Sequence, residues 1–126
     1  MGTRCLTVFR DEERGQEVCV LYRQSDGYPQ GHGQELAEFL SGFQVVDGLS
    51  GEGGKVANGM GCLAAQAVAY FKQRPGGFYL YPSGTRDVWE DYVYTVYLGE
   101  GKRLRMKIES HGEVLIDNWV DLEEVT

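Results

Sequence analysis

At 126 residues, 42% hydrophobic and 25% charged, the chain has the length and composition of one ordinary globular domain, which excludes a disordered protein and argues against a second domain. Nineteen acidic residues against twelve basic ones leave a net charge of -7, which opposes long-range attraction to a nucleic-acid backbone or an anionic membrane surface but not a local contact with a small anion. No segment approaches the roughly 20 apolar residues that span a bilayer, and the apolar start is too short for a secretory signal, so a cytoplasmic protein is expected.

Thr3 to Phe9 and Glu17 to Arg23 are rich in β-branched and aromatic residues and flank the polar stretch RDEERGQ, the pattern of a β-hairpin. Ten residues follow, Gln24 to Gly33, in place of the two to six of an ordinary connection, and they carry three glycines, a proline, an aspartate, a tyrosine and a histidine. Leu36, Phe39, Leu40 and Phe43 then recur at helical spacing, with Gly42 as the stop. Asp47 to Gly61 holds six glycines in fifteen residues and reads as a loop. Met60, Leu63, Ala64, Ala67, Val68 and Phe71 form the stripe of a second helix, which Asn58 is suited to cap. Phe78 to Pro82, Asp91 to Leu98, Lys102 to Ser110 and Glu113 to Val120 read as strands, the last three joined tightly enough for antiparallel pairing.

Because strands and helices are segregated, the expected fold class is α+β: a single domain over residues 1–126, with an antiparallel sheet of five to six strands and two helices packed on one face. In Asp91 to Leu98 both faces are apolar, with Tyr92 and Tyr94 on one and Tyr97 on the other, so either the chain's own loops or a second copy must cover the second face. A homodimer burying these tyrosines is one expectation. The three cysteines, odd in number and set in apolar surroundings, are expected to be buried free thiols.

Pairing Phe9 with Val18 in the hairpin puts Leu6 opposite Leu21 and Arg4 opposite Arg23. Like charges so placed call for an anion between them. Asp26, or one of Asp87, Glu90 and Asp91, supplies it in a purely structural reading; a ligand phosphate or carboxylate supplies it in a functional one, since guanidinium donors match such groups. His32 lies just before the first helix and Asn58, after Lys55, just before the second, where unpaired N–H groups favour anions. Gln24 and Asp26 adjoin the arginines, and Tyr28 with Pro29 forms a wall, to which Tyr79, Tyr81 and Arg86 add a surface suited to a nucleobase. The candidate ligand-binding set is therefore Arg4, Arg23, Gln24, Asp26, Tyr28, His32, Lys55 and Asn58. His111 reads as a turn residue.

Several signals are missing. Lys55 is followed by Val56 and lacks the upstream spacing of a phosphate loop, and the glycines around Met60 do not make a dinucleotide fingerprint. Neither histidine has ligand spacing to a cysteine or to the other histidine, so neither a metal nor a cofactor is expected. No serine has the context of a nucleophile elbow.

MGTR at the start, YRQSDGYPQGHG from Tyr22 to Gly33, and the later ANGMG resemble a family of small proteins of bacteria and their phages, over most of the chain. The resemblance implies one folded unit and that setting, and no mechanism. Small phage proteins include capturers and cleavers of nucleotide immune signals, which adds those options by analogy of setting.

Two readings share this candidate site. In the first the protein binds an anionic, nucleotide-like small molecule, with Asp47 to Gly59 closing as a lid. In the second it is a hydrolase or lyase of a phosphodiester, with His32 as general acid or base oriented by Asp26. A protein-interaction module using the aromatic strands is a further alternative.

Overall fold

The structure, a computed structural model, describes residues 2–12, 14–48 and 54–120. Its elements are strands β1 (Cys5–Glu12) and β2 (Glu17–Arg23), a π-helical turn (Pro29–Gly33), helix α1 (Gln34–Leu40), short strands β3 (Gln44–Val46) and β4 (Val56–Asn58), helix α2 (Gly59–Phe71), and strands β5 (Phe78–Tyr81), β6 (Tyr92–Leu98), β7 (Leu104–Ser110) and β8 (Glu113–Trp119). Six strands form one sheet in the order β5-β2-β1-β6-β7-β8, while β3 and β4 form a separate parallel pair. The fold is mixed α+β, and the sheet is antiparallel except where β1 lies parallel to β6.

Alternation along the strands decides which side chains meet the helices. Cys5, Phe9, Leu21, Tyr94 and Val96 project to one face and join Leu36, Phe39 and Leu40 of α1 and Met60, Leu63, Ala64, Ala67 and Phe71 of α2 in the main core. Leu6, Val8, Val20 and Tyr22 project to the other face and form a second cluster with Tyr81, Val88 and Val93. Topology explains its cover. Strand β5 lies outside β2 while β6 lies beyond β1, so the connection from Pro82 to Asp91 must pass two strands, and Val88 within it packs on the second face. Glu17 anchors that connection, accepting hydrogen bonds from Arg86 and from the Gly84 amide, with Arg10 also within ion-pair distance. Tyr94 and Tyr97 are buried within the single chain and Tyr92 is partly buried, so the chain itself covers much of the tyrosine surface that suggested a homodimer.

The hairpin register differs from expectation by one residue. Cys5 lies opposite Arg23, Leu6 opposite Tyr22 and Phe9 opposite Cys19, with Val18 the extra residue of a bulge before Glu17. A slip of one reverses the faces. Arg4 therefore does not oppose Arg23: its amide donates to the Asp91 carboxylate and its carbonyl accepts from the Asp91 amide. The supposed loop from Asp47 to Gly61 contains β4 and the start of α2, and Asn58 does not cap that helix; its side chain accepts from the Gly48 amide. The expected lid over Asp47 to Gly59 includes residues 49–53, which lie outside the described residues.

At the edge, Val114, Leu115 and Ile116 of β8 are each about half exposed. The chain passes close to itself at Gly27, where an added Cβ would lie 2.8 Å from the Cys5 Cβ and 2.9 Å from backbone atoms of Thr3 and Arg4. Gly27→Ala is expected to cost about 1–3 kcal/mol, because backbone cannot give way as a flexible side chain can. Gly61→Ala, on the exposed side of α2 with open space around it, should instead add about 0.5–1 kcal/mol of stability. Denaturant unfolding of both variants checks the pair, and equal effects would contradict the close approach.

Candidate functional site

The ten-residue stretch Gln24 to Gly33 folds back over the helix side of the sheet. Asp26 takes a left-handed conformation (φ 61), the Gly27 amide donates to the Thr3 carbonyl at 2.9 Å, and the His32 amide donates to the Asp26 carbonyl at 2.8 Å. Pro29, which has no N–H to lose, opens the π-helical turn. Two glycines permit the packing. A Cβ at Gly31 would lie 2.6 Å from the Asp26 carbonyl oxygen, and one at Gly33 would lie 3.2 Å from the Tyr94 ring, whose hydroxyl donates to the Gly27 carbonyl at 2.7 Å.

The result is a fully buried imidazole. His32 Nε2 is 2.7 Å from Thr7 Oγ1, and Nδ1 is 3.2 Å from Arg23 Nη1. Guanidinium can only donate, so Nδ1 accepts, Nε2 carries the hydrogen, and Thr7 Oγ1 accepts from it. The ring packs against Phe71 and edge-on against Tyr94. Burial, with the Arg23 charge as a second cause, lowers the His32 pKa to about 3, so the imidazole is neutral at physiological pH. Burial likewise raises the Cys5 thiol well above its ordinary range, leaving it inert.

Arg23 spans the boundary between this core and solvent. Its Nη1 donates to Glu35 Oε1 at 2.8 Å, its Nε donates to the Ser25 carbonyl at 2.8 Å, Asp26 lies 4.0 Å away, and its guanidinium covers the Phe78 ring at 5.0 Å. Glu35 and Asp26 are themselves largely exposed. The anion expected between two arginines is thus a carboxylate of the chain beside one arginine, and Glu35 was absent from the sequence candidates.

The remaining candidates disperse. Gln24 is exposed, its amide donating to the Gly77 carbonyl; Tyr28 is partly exposed on the surface of the loop. Lys55 Nζ donates to the carbonyls of Glu38, Phe39 and Ser41, satisfying the C-terminal end of α1 where a cation is favoured. It faces no helix start. Thus Arg23, Asp26 and His32 come together, whereas the side chains of Lys55 and Asn58 are committed elsewhere and Arg4, tied to Asp91 through its backbone, is one position out of register with Arg23. His32 has both ring nitrogens occupied and no solvent access, so it is not placed to exchange a proton with a substrate.

Three open clefts of the surface are lined by other residues. One, of about 820 Å³, lies between the segment after α1 (Gly42 and Phe43, then β3) and the turn before β7, with Lys102 and Arg103 on its wall. A second, of about 600 Å³, lies between the 82–91 connection and the β7–β8 turn and is lined by Asp87, Trp89, Glu90, Asp91, Glu109 and His111, among others. A third, of about 480 Å³, opens beside Tyr97 and Trp119.

In the second cleft Trp89 is 83% exposed, the most exposed of the large apolar side chains among the described residues. Its backbone is left-handed (φ 72), as is that of Asp87 (φ 61), and the Glu90 carboxylate accepts from the amides of both Asp87 and Val88. With Arg86 held by Glu17 and Asp91 held by the Arg4 amide, the connection is pinned on both sides of the indole. Sequence reasoning missed Trp89; the available signal was a tryptophan among acidic residues in a ten-residue connection. Comparison with protein-family models, curated proteins and solved structures finds no match, so geometry alone carries the functional argument.

Acid should expose the cost of burying His32. The unfolded chain takes up a proton near the ordinary imidazole value of about 6.5, the folded protein only near about 3. The stability associated with the neutral ring is therefore complete above about pH 7 and falls by up to about 1.4 kcal/mol per pH unit as the pH drops toward 4. Wild type and His32→Gln, unfolded in denaturant at pH 7, 6 and 5, should differ in this slope; parallel curves would contradict the neutral buried ring. Arg23→Ala should destabilise the protein by about 1–3 kcal/mol, since it leaves Nδ1 unpaired but strands only solvent-exposed carboxylates. Thermal or denaturant unfolding measures it, and no loss would mean that Arg23 is not structural.

Proposed function

We propose that the protein is an interaction module that binds another protein through the face formed by the 82–91 connection and the β7–β8 turn. The observation that supports this reading above the others is Trp89: a whole indole held in solvent on a backbone pinned by Glu17, Glu90 and Asp91. Exposing an indole forgoes about 1.5–3 kcal/mol of burial, and a left-handed non-glycine backbone adds about 1–3 kcal/mol of strain. A rigid aromatic anchor has little conformational entropy to lose on docking, which is why tryptophan is enriched among the residues that dominate interface energies. Apolar surface continues beside it, because half-exposed Val114 lies opposite Glu109 in the β7–β8 ladder.

A second reading keeps the anionic, nucleotide-like small molecule and moves it from the histidine motif to the largest of the three clefts. Lys102 and Arg103 give that wall positive charge in an acidic protein, and Phe43 supplies an aromatic surface. Lys102 already pairs with Asp47 at 2.9 Å, but both are mostly exposed, so a ligand phosphate competes with a weak partner.

Affinity purification from the native host, followed by mass spectrometry of both proteins and small molecules, separates the two readings. The interaction module predicts a protein partner whose affinity falls at least tenfold with Trp89→Ala and is unchanged by Lys102→Ala, with the variant's unfolding free energy within about 0.5 kcal/mol of wild type. A partner retained by Trp89→Ala would contradict it. A co-purifying nucleotide lost with Lys102→Ala would favour the second reading.

A further inference from the structure

We infer that the segment docking on Trp89 presents an arginine side chain, its guanidinium lying over the indole and its charge answered by Asp87 and Glu109. The inference rests on the interaction-module reading and specifies its partner.

Three observations support it. The cleft beside Trp89 is lined by four carboxylates, from Asp87, Glu90, Asp91 and Glu109. Two of these are occupied, Glu90 by the Asp87 and Val88 amides and Asp91 by the Arg4 amide. The side chains of Asp87 and Glu109 have no hydrogen-bond or ion-pair partner among the described residues, and the one arginine on the wall, Arg86, is committed to Glu17. Uncompensated negative charge therefore adjoins an exposed aromatic face, and the complementary group is a cation that can both stack and pair. The chain's net charge of -7 favours approach of a basic partner and opposes a second copy.

The protein's other tryptophan shows what its indole accepts. Trp119 lies under two guanidinium groups, those of Arg103 at 4.4 Å and Arg105 at 4.5 Å, the latter also paired with Asp117 at 3.1 Å. Arginine on indole with a carboxylate at the side is thus an arrangement this fold already builds internally. Around Trp89 the aromatic face and the carboxylates are present and the guanidinium is missing from the described residues. Arginine suits the position better than lysine because its planar group stacks and bridges a carboxylate together.

The test uses the full chain, isotope-labelled, titrated with a capped glycine-arginine repeat peptide bearing three arginines and with the same peptide carrying citrulline, which keeps the shape and loses the charge. The arginine peptide should shift the indole N–H resonance of Trp89 and leave that of Trp119 in place. Affinity should weaken at least fivefold between 50 and 300 mM salt, and at least fivefold in the double variant Asp87→Asn, Glu109→Gln. An unshifted Trp89, equal binding of the citrulline peptide, or an affinity indifferent to the double variant would each overturn the proposal. Spermidine binding as tightly as the peptide would also overturn it, by showing a polyamine site and not a peptide contact. If the peptide fails while the native partner is still lost with Trp89→Ala, only the arginine assignment falls; if the partner is retained by Trp89→Ala, the contact surface itself is wrong.

Discussion

The neutral imidazole of His32, held between Thr7 and Arg23, is the constraint around which the first half of the protein is arranged. A buried ring needs both nitrogens satisfied, and only one tautomer does this when one neighbour is a guanidinium. Thr7 reaches it because β1 turns its odd-numbered residues toward the helices, and Arg23 reaches it because the hairpin register puts Cys5, on that same face, opposite it. To bring His32 there, the chain leaving β2 reverses at Asp26, passes against the backbone of Thr3 and Arg4 at Gly27, and winds through a π-helical turn before α1 can begin. The unusual length and composition of the connection follow from this path. Its glycines stand where a Cβ would strike the chain or Tyr94, and its proline starts a turn.

A motif that suggests a ligand site can thus be explained as internal architecture. Histidine, arginine and carboxylates are the groups that bind anions, and they are equally the groups that satisfy one another when a loop is packed onto a sheet. Burial and partner count discriminate between the two. His32 has no free nitrogen and Arg23 is engaged by Glu35, the Ser25 carbonyl and the ring beneath it. The exposed, underused groups gather on the opposite face, where the connection that covers the second cluster also holds Trp89 outward. One segment therefore serves two purposes: Val88 faces inward to close the core and Trp89 faces outward.

The sheet was largely legible in the sequence, and what was not has physical causes. The six main strands and both helices fall within a few residues of expectation, because their periodic patterns are long. The hairpin register was missed by one since CLTVF and VCVLY are apolar at nearly every position, both faces being buried, so alternation carries no parity; the bulge at Val18 removes a second clue. The parallel pairing of β1 with β6 joins residues more than eighty apart, which no local pattern encodes. Strands β3 and β4 are three residues each, too short for a period. The cluster of Arg23, Asp26 and His32 follows from charge and position, but Arg4 joined it only through the hairpin register, which is off by one, and Lys55 and Asn58 only through chain proximity to a helix start, from which tertiary structure turns both side chains away. Trp89 was overlooked because an apolar residue reads as core until burial is known.

The central claim, that the histidine motif is a structural clamp, is tested most directly by nitrogen and proton NMR of the His32 ring across pH 7 to 4. The account predicts an imidazole that stays in the neutral Nε2–H form throughout, with an Nε2 proton slow to exchange because it is bonded to Thr7 in the core. A ring that titrates near pH 6.5, or exchanges rapidly with solvent, would contradict it and return His32 to the list of groups able to meet a ligand.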